Sequence, residues 1–221
     1  PLLCFLAWMV LAIVLMSWRR TTVLTVLEKM APAVLVQCAC IFACVMADSQ
    51  LQKMLFSVCL ALCAFIPLEL FFFFLYDAKR YPVNGLSHVN IAFVPLAIFF
   101  ATIGLSGTRV FLRAPWWISV VVFIVAGFTL FALTEHPTAD EKHRRRWRVL
   151  GALIGLHAAL FVLILPFNVW VHGVLAAILF SVPLRLRRYA YAPQPPIRMA
   201  WTEGVIALIV FLFLLFTCQW A

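Results

Sequence analysis

The chain has 221 residues, 66% of them hydrophobic and only 11% charged, far from the roughly 45–50% apolar and ~25% charged make-up of soluble domains. That length accommodates about eight spans of ~20 residues and little else, which predicts one transmembrane domain over residues 1–221 with no soluble catalytic domain attached. The net charge of +9 comes from basic residues scattered over short polar gaps, so it argues against nucleic acid and for anionic lipid headgroups as counter-ions, at about 1 kcal/mol per Lys or Arg near the surface.

In chain order, the first span covers residues 1–18 and stops at Arg19 and Arg20. The run is already apolar at Pro1, which leaves room for further N-terminal sequence ahead of it. Residues 21–29 form a short amphipathic stretch suited to the membrane interface. The second span takes residues 30–47, followed by a polar turn at 48–53. The third and longest runs over 54–76 and ends at Asp77, Lys79 and Arg80. The fourth covers 88–108, with Pro95 expected to kink it, and the turn 109–115 follows. Trp116 and Trp117 open the fifth span, 116–134, where amphipathic rings favour the headgroup level.

The largest polar loop, 135–148, contains the charge run 140–148. The sixth span, 149–165, is separated from the seventh, 169–184, by Pro166, Phe167 and Asn168 alone, which predicts a tight antiparallel hairpin; the alternative, one long helix kinked at Pro166, would turn Arg185, Arg187 and Arg188 outward against the charge bias. A Pro-rich segment, 185–200, leads into the eighth span, 201–221. Every span is expected to be helical, because an unsatisfied backbone group in hydrocarbon costs several kcal/mol and no alternating strand pattern is present. The fold expected is an all-α, polytopic integral membrane helix bundle.

The seven gaps alternate in charge. The odd-numbered ones hold 14 of the 17 Lys and Arg residues. Cytoplasmic loops carry the excess of positive charge, so the odd loops are expected to be cytoplasmic and the C-terminus external. The run Lys142, His143, Arg144, Arg145, Arg146, Trp147, Arg148 is expected to anchor the sixth span at that face. Together with Arg185, Arg187 and Arg188 it supplies the candidate contacts to lipid headgroups.

Few residues can carry chemistry. Six of the seven cysteines lie inside apolar runs, without the neighbouring His or carboxylate ligands a closed metal site needs, and they are expected to act as small buried apolar residues. No metal site is expected, and no cofactor is implied. Glu69 stands apart as a carboxyl within an apolar span, the kind of group treated by default as a functional candidate. Eight residues separate it from Asp77, which places it ~12 Å inside the span. His157 lies nine residues beyond Arg148, at ~13 Å from the same face, so the two are expected to meet inside the bundle. The alternative for each is structural: Glu69 hydrogen-bonded to a neighbouring helix, His157 a satisfied core histidine. His88 opens the fourth span and Glu203 the eighth, both on the expected cytoplasmic half, and a helix dipole alone explains a carboxylate in a first turn. Asn168 and His172 are expected on one helix face near the outer interface.

These positions predict a membrane protein that handles protons or a small solute through a cytoplasm-facing Glu/His site. Two alternatives stand beside it. One is a non-catalytic subunit or assembly partner of a larger membrane complex. The other is a membrane-embedded enzyme acting on a lipid or isoprenoid substrate.

Overall fold

The computed structural model describes residues 2–18, 21–77, 79–81, 85–134, 141–165, 167–190 and 197–217. Among them are eight helices and no strand: α1 (Leu2–Ser17), α2 (Val23–Val45), α3 (Gln50–Tyr76), α4 (Gly85–Phe111), α5 (Trp116–Leu133), α6 (Glu141–Ile164), α7 (Val169–Ala190) and α8 (Ile197–Thr217). The all-α bundle expected from hydropathy is what the chain forms. Six of the helices, α3 to α8, are long and apolar enough to cross a membrane, while the apolar parts of α1 and α2 are shorter.

Local chemistry sets the helix ends. The Thr22 hydroxyl accepts from the Thr25 amide and starts α2 there, so the stretch expected to lie along the interface is instead continuous with the span it precedes. Ser49 and Gln52 form a reciprocal capping box at the start of α3, which ties up amides that would otherwise be orphaned. At the end of α4, Arg113 takes a positive φ of 50° and Thr108 O accepts from both the Leu112 and Ala114 amides. Pro115 then initiates α5.

Two basic segments read as loops are helical. α6 begins at Glu141 and carries the Arg-rich run in its first two turns, and α7 continues through Arg185 and Arg187 to Ala190. Lys and Arg are good helix formers, so a change from apolar to basic composition marks the edge of hydrocarbon without marking the end of a helix. α4 runs unbroken through Pro95.

The chain packs as two compact units, Pro1–Gly104 and Leu105–Ala221. In the first, Met9 and Ile13 of α1, Met30 of α2, Ala64, Leu68 and Phe71 of α3 and Leu86 at the start of α4 form one buried cluster. α2 and α3 are also joined by a ladder of side-chain donors reaching backbone carbonyls. Gln37 Nε2 donates to Leu60 O at 3.1 Å, Cys40 Sγ to Phe56 O at 3.3 Å and Cys44 Sγ to Lys53 O at 3.9 Å. Positions descend α3 as they ascend α2, so the two helices are antiparallel. Cys40, Cys44 and Cys63 are buried, as expected, while Cys38 is exposed.

In the second unit, α5 and α6 touch backbone to backbone. A Cβ added at Gly127 would overlap the Gly151 carbonyl oxygen, and one at Gly155 would overlap the Phe123 carbonyl. Only residues without side chains allow this approach, the usual route to helix association where hydrocarbon supplies no hydrophobic drive. Gly151 and Gly155 are one turn apart on α6 and meet α5 in antiparallel order. The hairpin between α6 and α7 is present as expected. The Asn168 side chain accepts from the Trp170 amide at 3.2 Å, its carbonyl accepts from the His172 amide, and His172 Nε2 lies 2.9 Å from Leu165 O. Asn168 thus precedes α7 and caps it, and buried His172 reaches back to the end of α6.

Candidate functional site

Glu69 lies two turns from the end of α3, on the side of that helix facing away from its buried residues Phe56, Leu60, Cys63, Ala64, Leu68 and Phe71. It is exposed, and no hydrogen bond or ion pair holds its carboxyl among the described residues. Its neighbours along that face are equally exposed, including Leu62, Phe65 and Phe72. An exposed side chain two turns inside an apolar helix faces hydrocarbon or another protein.

His157 is exposed as well, and its Nδ1 lies 2.7 Å from the Leu153 carbonyl one turn back on α6. The interior meeting expected of Glu69 and His157 required both to be buried, and neither is. Depth along a helix is legible from residue counting, whereas the direction a residue faces depends on which helices cover it. His88 is exposed on the first turn of α4. It is its neighbour Asn90 that turns inward, donating from Nδ2 to Lys29 O of α2 at 2.8 Å. Glu203 is half-buried and stands in the second turn of α8, not the first turn expected, because α8 already begins at Ile197; its Oε1 lies 3.9 Å from Arg185 Nη1, so it links α8 to the end of α7. Glu69 and His88 fall in the first unit, His157 and Glu203 in the second.

The basic end of the second unit divides into two populations. Arg145 and Arg146 are exposed and Arg144 is half-buried, while Arg148 lies 3.8 Å from Glu141 across two turns of α6. The side chain of Arg188 is outside the described residues. Arg187 departs from its expected place at the headgroups. It is only 4% exposed, with Nη1 donating to Phe131 O at 2.9 Å and Nη2 to Thr134 O, and its guanidinium lies 6.0 Å from the Trp147 ring centroid. Both carbonyls belong to the end of α5, where the last turn has no intrahelical donor and carries partial negative charge. Arg187 therefore ties α7 to the α5–α6 pair. Nothing in the linear sequence separates Arg187 from Arg185, whereas the Gly151–Gly155 spacing was a visible signal for close packing.

Most buried polar side chains serve the same end. Gln37, Asn90, Thr102, His172 and Arg187 are each bonded to a backbone carbonyl. All but Thr102, which bonds back within α4, join one helix or turn to another.

No known protein family matches the chain, and no curated protein or solved structure matches it. The fold places it in the class of multi-pass helical membrane proteins.

Proposed function

We propose that the chain is a non-catalytic subunit or assembly partner of a larger membrane complex, oriented with its basic loops in the cytoplasm and anionic headgroups against Arg144, Arg145 and Arg146. The observation that supports this reading is Glu69: a carboxyl on the exposed face of α3, without a bonding partner among the described residues. An acidic residue facing hydrocarbon costs up to about 2.5–3.5 kcal/mol on insertion scales, the value at the centre of a span, which bounds the cost for Glu69 two turns from the end of α3. Covered by a neighbouring helix that offers a hydrogen bond, the same group becomes an association element.

The proton- or solute-handling reading through Glu69, His157, His88 and Glu203 draws less support. A conducting path needs polar groups converging on a wetted interior, and here the buried polar side chains are mostly engaged with backbone carbonyls while Glu69 and His157 face outward. The lipid-enzyme reading needs the basic end to gather a headgroup, yet Arg187 is occupied by α5 and Arg185 by Glu203.

Reconstitution separates these readings. The purified chain in vesicles loaded with a pH-sensitive dye is expected to pass protons no faster than protein-free vesicles. Its mass in native membrane extracts is expected to exceed that of one chain. Proton flux that disappears in Glu69→Gln, carried by a species of single-chain mass, would replace this reading with proton handling.

A further inference from the structure

The exposed face of α3 has a regular pattern. Leu55, Val58, Leu62, Phe65, Glu69 and Phe72 are all exposed and follow one another at alternating steps of three and four. That is the spacing of a helix–helix seam. From Leu55 to Phe72 it extends ~26 Å along the axis at 1.5 Å per residue, close to the ~30 Å thickness of a hydrocarbon core. The opposite side of the same helix is buried within its own unit. One position in the seam is polar, and it is Glu69.

We infer that this seam pairs α3 with α3 of a second copy of the chain, with the two Glu69 carboxyls hydrogen-bonded to each other. This inference rests on the assembly reading and names its partner. Copies inserted by the same charge bias share one orientation, so their α3 helices run parallel. A two-fold axis along the membrane normal then brings each depth of the helix against itself. Glu69 necessarily meets Glu69, whereas an unrelated helix would have to supply its own polar group at that depth. A carboxylic acid carries both a donor and an acceptor, so two facing acids can satisfy each other: each O–H donates to the carbonyl oxygen of the other, and such a pair carries no net charge. A single polar group at an otherwise apolar seam position also fixes register, since any slip along the axis leaves two carboxyls in hydrocarbon.

Two other exposed places in the spans do not offer this feature. Val121, Val125 and Phe128 of α5 present only apolar groups, for which lipid is an adequate neighbour. His157 on α6 has its Nδ1 engaged by the Leu153 carbonyl.

The test uses the full chain in native membranes, expressed as two differently tagged copies. A photo-crosslinking phenylalanine analogue replaces Phe65, or Val125 as the control. Irradiation is expected to give a doubly tagged product of two-chain mass from the Phe65 site and none from the Val125 site. Glu69→Leu is expected to reduce that product about tenfold, the scale of one interhelical hydrogen-bonded contact in lipid. Glu69→Gln, which pairs amide to amide, is expected to keep it within about twofold. Glu69→Leu leaves the buried side of α3 untouched, and its expression level reports that the fold is intact. A cross-link to a different polypeptide would overturn the second copy and leave the assembly reading standing. Adducts to lipid alone, or a product of single-chain mass, would overturn both. An undiminished two-chain product in Glu69→Leu would remove the carboxyl pair from the account.

Discussion

Replacing Arg187 separates a structural tie from a headgroup contact. In Arg187→Met the chain keeps an apolar stem of similar length and loses the guanidinium that serves Phe131 O and Thr134 O at the end of α5. Leaving a buried acceptor without a donor costs about 1–3 kcal/mol. Two such carbonyls give an upper figure near 6, from which the cost of burying a guanidinium that is only 4% exposed is no longer incurred. A net loss of about 3 kcal/mol follows, and at ~2–4 °C per kcal/mol for a chain of this size the melting temperature should fall by ~6–12 °C. Arg187→Lys keeps the charge near the helix terminus but cannot span both carbonyls, so about half that fall is expected. The assay is thermal unfolding in an uncharged detergent, followed by tryptophan fluorescence, which removes anionic headgroups from the comparison. A melting temperature for Arg187→Met within ~1 °C of the parent, together with weakened binding to anionic vesicles, would refute the tie and return Arg187 to the lipid surface.

The α5–α6 contact has a built-in control. Gly155→Ala places a Cβ against the Phe123 carbonyl and should cost about 1–3 kcal/mol as overpacking, seen as a lower melting temperature. Gly204→Ala meets nothing within 4 Å and should be neutral or slightly stabilising, since Ala is the better helix former by about 1 kcal/mol; equal effects at the two sites would contradict the close approach. For topology, Cys-accessibility labelling of Ser49→Cys and Arg145→Cys should report opposite sides of the membrane. Arg187 would be a poor reporter because it is buried, and labelling of Ser49→Cys and Arg145→Cys from the same side would end the alternating arrangement.

The eight helices and their approximate ends were legible in the sequence. Helix formation in hydrocarbon is a local necessity: each backbone amide must be satisfied within its own segment, so a run of ~20 apolar residues dictates its own secondary structure. The hairpin between α6 and α7 was legible from charge: one long helix kinked at Pro166 would have put Arg185, Arg187 and Arg188 on the external side against the positive-inside bias. Charged residues at the ends misplaced boundaries by up to two turns, as at Glu141 and Ala190, since Lys and Arg continue a helix beyond the apolar slab.

Which side of each helix is covered was not legible. Glu69 and His157 could be placed in depth by counting, but both face outward because the buried stripes of α3 and α6 run along other positions. Arg185 and Arg187 are two residues apart in one basic run. Only the packing of α7 beside the end of α5 sends one to Glu203 and the other to two carbonyls. Gln37, Cys40 and Cys44 likewise became a ladder only when α3 was set antiparallel beside α2. A hydropathy pattern fixes a helix, its length and its depth through backbone hydrogen bonding within one segment. The direction of a side chain is settled by contacts between segments distant in the chain, and those exist only once the helices have packed.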